Sequence, residues 1–257
     1  MHSISAVIIT KNEERNIRRC LESLIHVADE IIVVDDFSAD GTISVCLEYG
    51  VKVISQNWLG FGAQKNTGNN AASHDYILSL DADEALDQHL REAISNEKER
   101  GLQGAYRLSR LNYYYGKFIR HGLEFPDEKI RLFNRTQASW QSQLVHETLQ
   151  ISSSVNTTHL NGFLRHYTYY RFEEHILKAN KYTTLAALHY FRQGRKYALF
   201  KLIFSPVFTF IQAYIVKLGF LEGIHGFVLA AMNANAAFVK YVKLWELHRH
   251  KDQQHEE

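Results

Sequence analysis

Tyr76-Ile77-Leu78-Ser79-Leu80-Asp81-Ala82-Asp83-Glu84 is the stretch on which the reading of this chain turns. An apolar run of strand character passes directly into three carboxylates within four positions. A buried strand that ends in clustered acid is suited to hold a hard divalent cation, Mg²⁺ or Mn²⁺, at the carboxyl edge of a sheet. Such an ion keeps coordination positions for water and substrate phosphates. In an extended chain Asp81 and Asp83 point to opposite faces, so one is expected to ligate metal and the other to contact a neighbouring group. The competing reading is a strand end followed by an acidic first helical turn, which the helix dipole favours.

Working outward, the preceding residues repeat one unit. Ser5 to Thr10 is a short continuous apolar run of buried-strand type. Asn12 is placed to cap a helix in which Ile17, Leu21, Leu24 and Ile25 recur at helical spacing. Glu30 to Val34 forms a second strand ending in Asp35-Asp36, and Ser38, Asp40 and Gly41 turn into a helix that Thr42 would cap. Val51 to Ile54 is a third strand. Strand, helix and strand in alternation with short connections predict a doubly wound α/β sheet, whose ligands bind beyond the carboxyl ends of the strands. Thr10, Asp36 and Asp81/Asp83 should therefore face one crevice. A helix from about Phe61 to Ala72 would bring Lys65 to it, although an isolated lysine is more often solvated. Asp87 should cap a further helix reaching about Arg100.

Composition sets the outer limits. The 257 residues are 46% hydrophobic with two prolines, which is a folded chain with room for one large domain or a domain and an appendage. Twenty-nine Lys and Arg against 28 Asp and Glu give +1, arguing against nucleic acid as a partner bound by bulk charge. Cys20 and Cys46 make no disulfide framework or metal spacing, so a reducing, cytoplasmic setting is expected. The apolar run Ile4–Ile9 is too short for the core of a signal peptide.

From Ala105 the pattern changes. Tyr106, Leu108, Tyr113 to Tyr115, Phe118 and Ile119 read as aromatic strands able to stack on sugar rings or, more simply, to fill a core. Lys129 to Phe133 is another strand, and Phe172 to about Phe191 a helix. Leu199–Phe220 and Gly223–Leu244 read as apolar helices edged by Lys201, Lys217, Lys240 and Lys243. Pro206, Gln212, Asn233 and Asn235 interrupt them, so neither offers the ~20 clean apolar residues of a spanning helix. They are expected to form an amphipathic hairpin that lies on a membrane, pairs with a second copy in a homo-oligomer, or packs on the domain. His248–Glu257 reads as a charged, disordered tail.

As an ordered set, Thr10 with Asn12-Glu13-Glu14, Val33 to Thr42, Gln64 to Gly68 and Asp81-Ala82-Asp83-Glu84 resembles glycosyltransferase family 2, whose members have the GT-A fold. That match covers residues 4–86. Pro126-Asp127 through Arg131-Leu132-Phe133, Val145-His146-Glu147, His166 to Tyr169 and Gly219 to Gly223 are similar to a bacterial branch that includes lipopolysaccharide-core β-glucosyltransferases. The resemblance implies a GT-A nucleotide-sugar-binding half over 1–104 and an acceptor-binding, catalytic half over 105–195. The helical hairpin then covers 196–247 and the tail 248–257.

Implied roles follow residue by residue. Asp36 would accept a hydrogen bond from uracil, Thr10 would line the base pocket, and Asn12 and Glu13 would border the nucleotide. Lys65 and Arg131 would lie near the phosphates, Asp81 on the ribose side, and Asp83 on the metal with His146 as a further ligand. Inversion at the sugar C1 needs a base for the acceptor hydroxyl, and Glu147, ahead of Asp127, is the candidate. The implied activity is transfer of a hexose, glucose from UDP-glucose, to a lipid-linked saccharide such as lipopolysaccharide inner core, at the cytoplasmic face of the inner membrane. Other polysaccharide or protein acceptors are alternatives. Outside transferases, a phosphoacceptor receiver domain matches Asp35/Asp36 and Asp81 loosely but leaves Asp83 unexplained. A sugar-nucleotide-forming enzyme lacks its glycine-rich basic loop after the first strand, and a pure scaffold leaves the acid set without a use.

Overall fold

The computed structural model describes residues 2–141, 148–195 and 199–253. In chain order the elements are β1 (Ile4–Thr10), α1 (Glu14–Leu24), β2 (Glu30–Asp35), α2 (Thr42–Glu48), β3 (Lys52–Ser55), α3 (Phe61–Ala71), β4 (Tyr76–Asp81), β5 (Glu84–Leu86) and α4 (Gln88–Arg100). There follow β6 (Ala105–Tyr114), β7 (Lys117–Phe118), β8 (Asp127–Asn134), β9 (Ala138–Gln141), β10 (Thr148–Ile151), β11 (Thr157–Tyr169), α5 (Phe172–Arg192), α6 (Leu199–Ile211) and α7 (Ile224–Gln253).

The chain forms two compact units that interleave along the sequence instead of following a boundary after residue 104. One comprises 1–111 and 127–167, the other 112–126 and 168–257. In the first, β1 runs parallel to both β2 and β4, β2 runs parallel to β3, and β8 and β6 continue the sheet antiparallel. Strands β1 and β4 are apolar on both faces because both are covered, as their unbroken hydrophobic runs require. Ile4, Ala6 and Ile8 pack with α1 and α4 on one side through Ile17, Leu21, Leu24, Leu90 and Ile94. Val7, Ile9, Ile32 and Val34 face the other side with Ile77, Phe133 and Trp140. There α3 lies so close that a Cβ on Gly68 would stand 2.3 Å from Val7 Cγ1.

Several local expectations need correction. Asn12 does not cap α1. It adopts φ 54°, and its Oδ1 accepts from the backbone N–H of Ala39 at 2.7 Å, stitching the β1–α1 loop to the β2–α2 loop. Thr42 is the first residue of α2 rather than its cap, and its hydroxyl accepts from the Glu13 N–H at 2.8 Å. Asp87 does cap α4, accepting from the Leu90 N–H at 2.9 Å. Asp81 and Asp83 do not share one extended strand, because β4 ends at Asp81 and the chain turns through Ala82-Asp83 before β5.

In the second unit α7 packs against both α5 and α6. Lys243 ties α7 to α5 by donating to Asn180 O, Asn180 Oδ1, Thr183 Oγ1 and Thr184 Oγ1 at 2.6–2.9 Å. Buried Glu222 accepts from Lys117 Nζ at 2.6 Å and from the Arg120 N–H at 2.8 Å. The expected helix through Phe220 stops at Ile211 and gives way to a π-turn over Gln212–Val216 and a left-handed Leu218, φ 58°. Leu199–Val216 nonetheless makes an 18-residue segment of mean hydropathy 1.7, long and apolar enough by composition to cross a membrane. The tail is helical through Gln253, not disordered from His248. Tyr106 and Tyr114 are buried, so these two are core filler and not sugar platforms.

Candidate active site

The parallel strands bring the acids together. Thr10 pairs in register with Asp35 and Ile9 with Asp81, so the carboxyl ends of β1, β2 and β4 form one edge. Thr10 is buried, and its hydroxyl has no hydrogen-bond partner among the described residues. Asp36 lies beside it, donating its N–H to Thr10 O at 3.0 Å. Its two carboxylate oxygens accept from the Trp58 N–H at 3.0 Å and from Lys11 Nζ. Glu13 accepts from Asn16 Nδ2 at 2.7 Å, and Asp35 is capped by the N–H and hydroxyl of Ser38.

Lys65 is fully buried, against the expectation for an isolated lysine. The first turns of α3 place its ammonium 3.0 Å from Asp81 Oδ1 and 4.6 Å from the centre of the Trp140 ring, so a carboxylate and an aromatic face replace its lost water. Arg131, from β8, approaches the other oxygen, with Nη2 3.0 Å from Asp81 Oδ2, and reaches Glu84 Oε1 at 2.7 Å. Burial raises the Asp81 pKa, but the flanking Lys65 and Arg131 overcome that and hold it far below the ordinary carboxylate range. Glu84 is completely buried, also accepts the Asp81 N–H at 3.0 Å, and lies 3.4 Å from Arg110. Arg110 in turn holds Asp127 at 2.6 Å. The result is an alternating chain of charge, Lys65–Asp81–Arg131–Glu84–Arg110–Asp127, along the sheet edge.

Burial pushes the Asp127 pKa up, yet Arg110 and Lys129 bring it below the usual value, so its carboxylate is ionised. Glu147 and His146, the other expected base and the second expected metal ligand, lie outside the described residues. Asp83 sits on the turn with its Oδ2 3.2 Å from His166 Nε2 of β11. The neighbouring Tyr167 donates its N–H to Asp83 O at 2.9 Å, and Arg19 lies 3.8 Å over the Tyr167 ring. His166 was legible only within the His166 to Tyr169 stretch that is similar to the bacterial branch; the pairing of β11 with β5, which sets His166 opposite Glu84, is what delivers it. Glu84 and Arg110 were likewise given no role by sequence.

Parallel strands whose carboxyl ends carry the acids, extended by antiparallel strands, are the arrangement of the GT-A class of glycosyltransferase. The family model for glycosyl transferase family 2 matches residues 5–167, and the chain belongs to that family. It is 34% identical to a glycosyltransferase of Rickettsia typhi over 96% of this chain and 88% of the relative. It is 32% identical to the lipopolysaccharide core biosynthesis glycosyltransferase LpsC of Rhizobium meliloti, over 95% of this chain and 93% of that one. Among solved structures, a mannosyltransferase of Pyrobaculum calidifontis in complex with GDP-Man and Mn²⁺ matches with a TM-score of 0.55 at 12% identity, over 95% of this chain and 87% of that one. The receiver-domain reading gives way to this membership.

Proposed function

We propose that the protein is an inverting, metal-dependent hexosyltransferase that moves glucose from UDP-glucose to a saccharide of a membrane glycolipid, such as lipopolysaccharide inner core. The observation that carries this reading is the split in the acid pair. Asp81 is already neutralised by Lys65 and Arg131, while Asp83 faces an imidazole. An octahedral ion with bonds of ~2.1 Å sets neighbouring ligands about 3 Å apart. The 3.2 Å between Asp83 Oδ2 and His166 Nε2 fits that spacing. A mixed oxygen and nitrogen pair suits Mn²⁺ better than Mg²⁺. The remaining coordination positions of such an ion would be filled by water and the donor's phosphates. Bound there, a divalent ion would stabilise the charge that develops on the diphosphate leaving group.

The chain's own residues do the rest. Asp36, sharing its oxygens with Trp58 N–H and Lys11, accepts from the uracil edge, and the unpartnered Thr10 hydroxyl completes that pocket. Asn12 and Glu13 hold the loop that borders the nucleotide. Asp81, fixed in its ionised form by Lys65 and Arg131 near the phosphates, orients the ribose. Glu147 takes the proton from the acceptor hydroxyl, with Asp127 the alternative base. The acceptor class rests on the relative LpsC, and the second unit makes peripheral contact with the inner membrane at its cytoplasmic face.

A thermal-shift panel of nucleotides and nucleotide sugars, with and without Mn²⁺, tests this on wild type and Asp83→Ala. A ligand at 100 times its Kd stabilises the native state by about 2.7 kcal/mol. UDP and one UDP-sugar should raise the Tm by several degrees in a metal-dependent way. Asp83→Ala should keep its unliganded Tm and lose the metal-dependent increment. No response to any nucleotide would overturn the donor assignment.

A further inference from the structure

We infer that α6 is a lipid-binding helix that lies in the plane of an anionic phospholipid surface and does not cross the bilayer. This deepens the membrane contact proposed above. It rests on the second unit alone.

The exposed side of α6 is a stripe. Phe200, Phe204, Val207, Phe208 and Ile211 recur at helical spacing and are 69, 52, 55, 67 and 47% exposed. Ile215, Phe220 and Leu221 carry the apolar surface beyond the helix end. Such a continuous array of large apolar side chains marks a surface with a partner. The other side of the segment is already used, since α6 packs along α7 and Ala213 is buried.

Charge selects the occupant. Between Leu199 and Leu221 there is no carboxylate, while Lys201 and Lys217 stand exposed near the two ends. Arg192 and Arg195, also exposed, precede the segment. A basic-edged apolar face suits anionic headgroups above acyl chains. A second copy fits worse. Antiparallel pairing of two α6 stripes would set Lys201 of one against Lys217 of the other, and parallel pairing would set like against like.

Geometry selects the orientation. Eighteen residues at ~1.5 Å per residue give about 27 Å of ideal helix, the lower limit for a ~30 Å hydrocarbon core and with no length to spare for a break. The segment also contains Pro206 and the π-turn over Gln212–Val216, and reverses at left-handed Leu218. The returning helix α7 is held by polar groups: His225 Nε2 lies 3.3 Å from Tyr115 O, and Asn233 Nδ2 donates to Glu124 Oε1 at 2.6 Å. A crossing α6 would draw this bonded helix into hydrocarbon, where its polar groups would be costly. An α6 lying flat leaves α7 where it is.

The test is flotation of the full chain with vesicles of phosphatidylglycerol and phosphatidylethanolamine (3:7) and with phosphatidylcholine vesicles. Binding is expected to the anionic vesicles. The double substitution Phe204→Glu/Phe208→Glu, both on exposed positions, should lower it at least tenfold with an unchanged Tm. Lys201→Gln and Lys217→Gln should each lower it about fivefold. Fluorophores on Phe200→Cys, Val207→Cys and Ile215→Cys should report one shallow depth. Equal binding by wild type and the double variant, a depth maximum at position 207, or self-association through the stripe without vesicle binding would each overturn the inference. Because lipid binding is the readout, failure of the nucleotide panel leaves this result standing.

Discussion

Replacing Arg131 with leucine removes the cation that two carboxylates share. In the folded protein Glu84 is fully buried and Arg131 nearly so, at 2.7 Å from one another, and Asp81 lies 3.0 Å from the same Nη2. Deleting one partner of a buried ion pair costs roughly 3–5 kcal/mol, because the remaining charge has lost both water and partner. Glu84 retains the Asp81 N–H and Arg110 at 3.4 Å, and Asp81 retains Lys65, so the low end, about 3 kcal/mol, applies. For a chain of this size that corresponds to a fall in Tm of roughly 6–12 °C. The pH dependence carries the distinguishing sign. Asp81 is held well below its unfolded pKa, so its contribution to stability is present above that value and is lost as pH falls through the folded one. Wild type should therefore lose stability in acid, and the variant, with half the stabilising charge gone, should show a shallower decline. Urea denaturation from pH 3 to 7 measures both. A loss under about 1 kcal/mol at pH 7, with an unchanged acid slope, would refute the account of the cluster as a tightly coupled buried network.

Two further outcomes follow from packing. Gly68→Ala should destabilise by roughly 1–3 kcal/mol in chemical denaturation, because the new methyl would meet Val7 Cγ1 at 2.3 Å and Val34 Cγ2 at 3.0 Å between α3 and the sheet. The thiols should be inert to a disulfide reagent in the native state and react only after unfolding. Cys20 is buried beneath the acid turn, where burial and then Glu84, Asp83 and Asp81 push its pKa well up, and burial raises that of Cys46 to about 11.

The division between what was legible and what was not follows the range of the interactions involved. The apolar runs of β1, β2 and β4, the helical periodicity of α1 and the Asp87 cap are written in neighbouring residues, and they were enough to place Thr10, Asp36 and Asp81 on one sheet edge. Local signals misled where a side chain bonds across loops. Asn12 and Thr42 have the composition of caps but spend their oxygens on Ala39 and Glu13. Lys65 could be placed near the crevice from its helix and the family resemblance, but nothing nearby in sequence reveals that Asp81 and Trp140 will enclose it.

By itself, the sequence determined the α/β character and the crevice at the strand ends, since alternating strands and helices follow from hydrophobic period and short connections, while the ordered motifs pointed to the family by resemblance. Tertiary structure alone decided the roles within the acid set. Arg131, Arg110 and His166 come from β8, β6 and β11, strands whose register with one another depends on packing and not on spacing. That register neutralises Asp81, lowers the pKa of Asp127 and sets His166 on Asp83, because the interaction between charges depends on their separation in space and their burial, neither of which is encoded by distance along the chain.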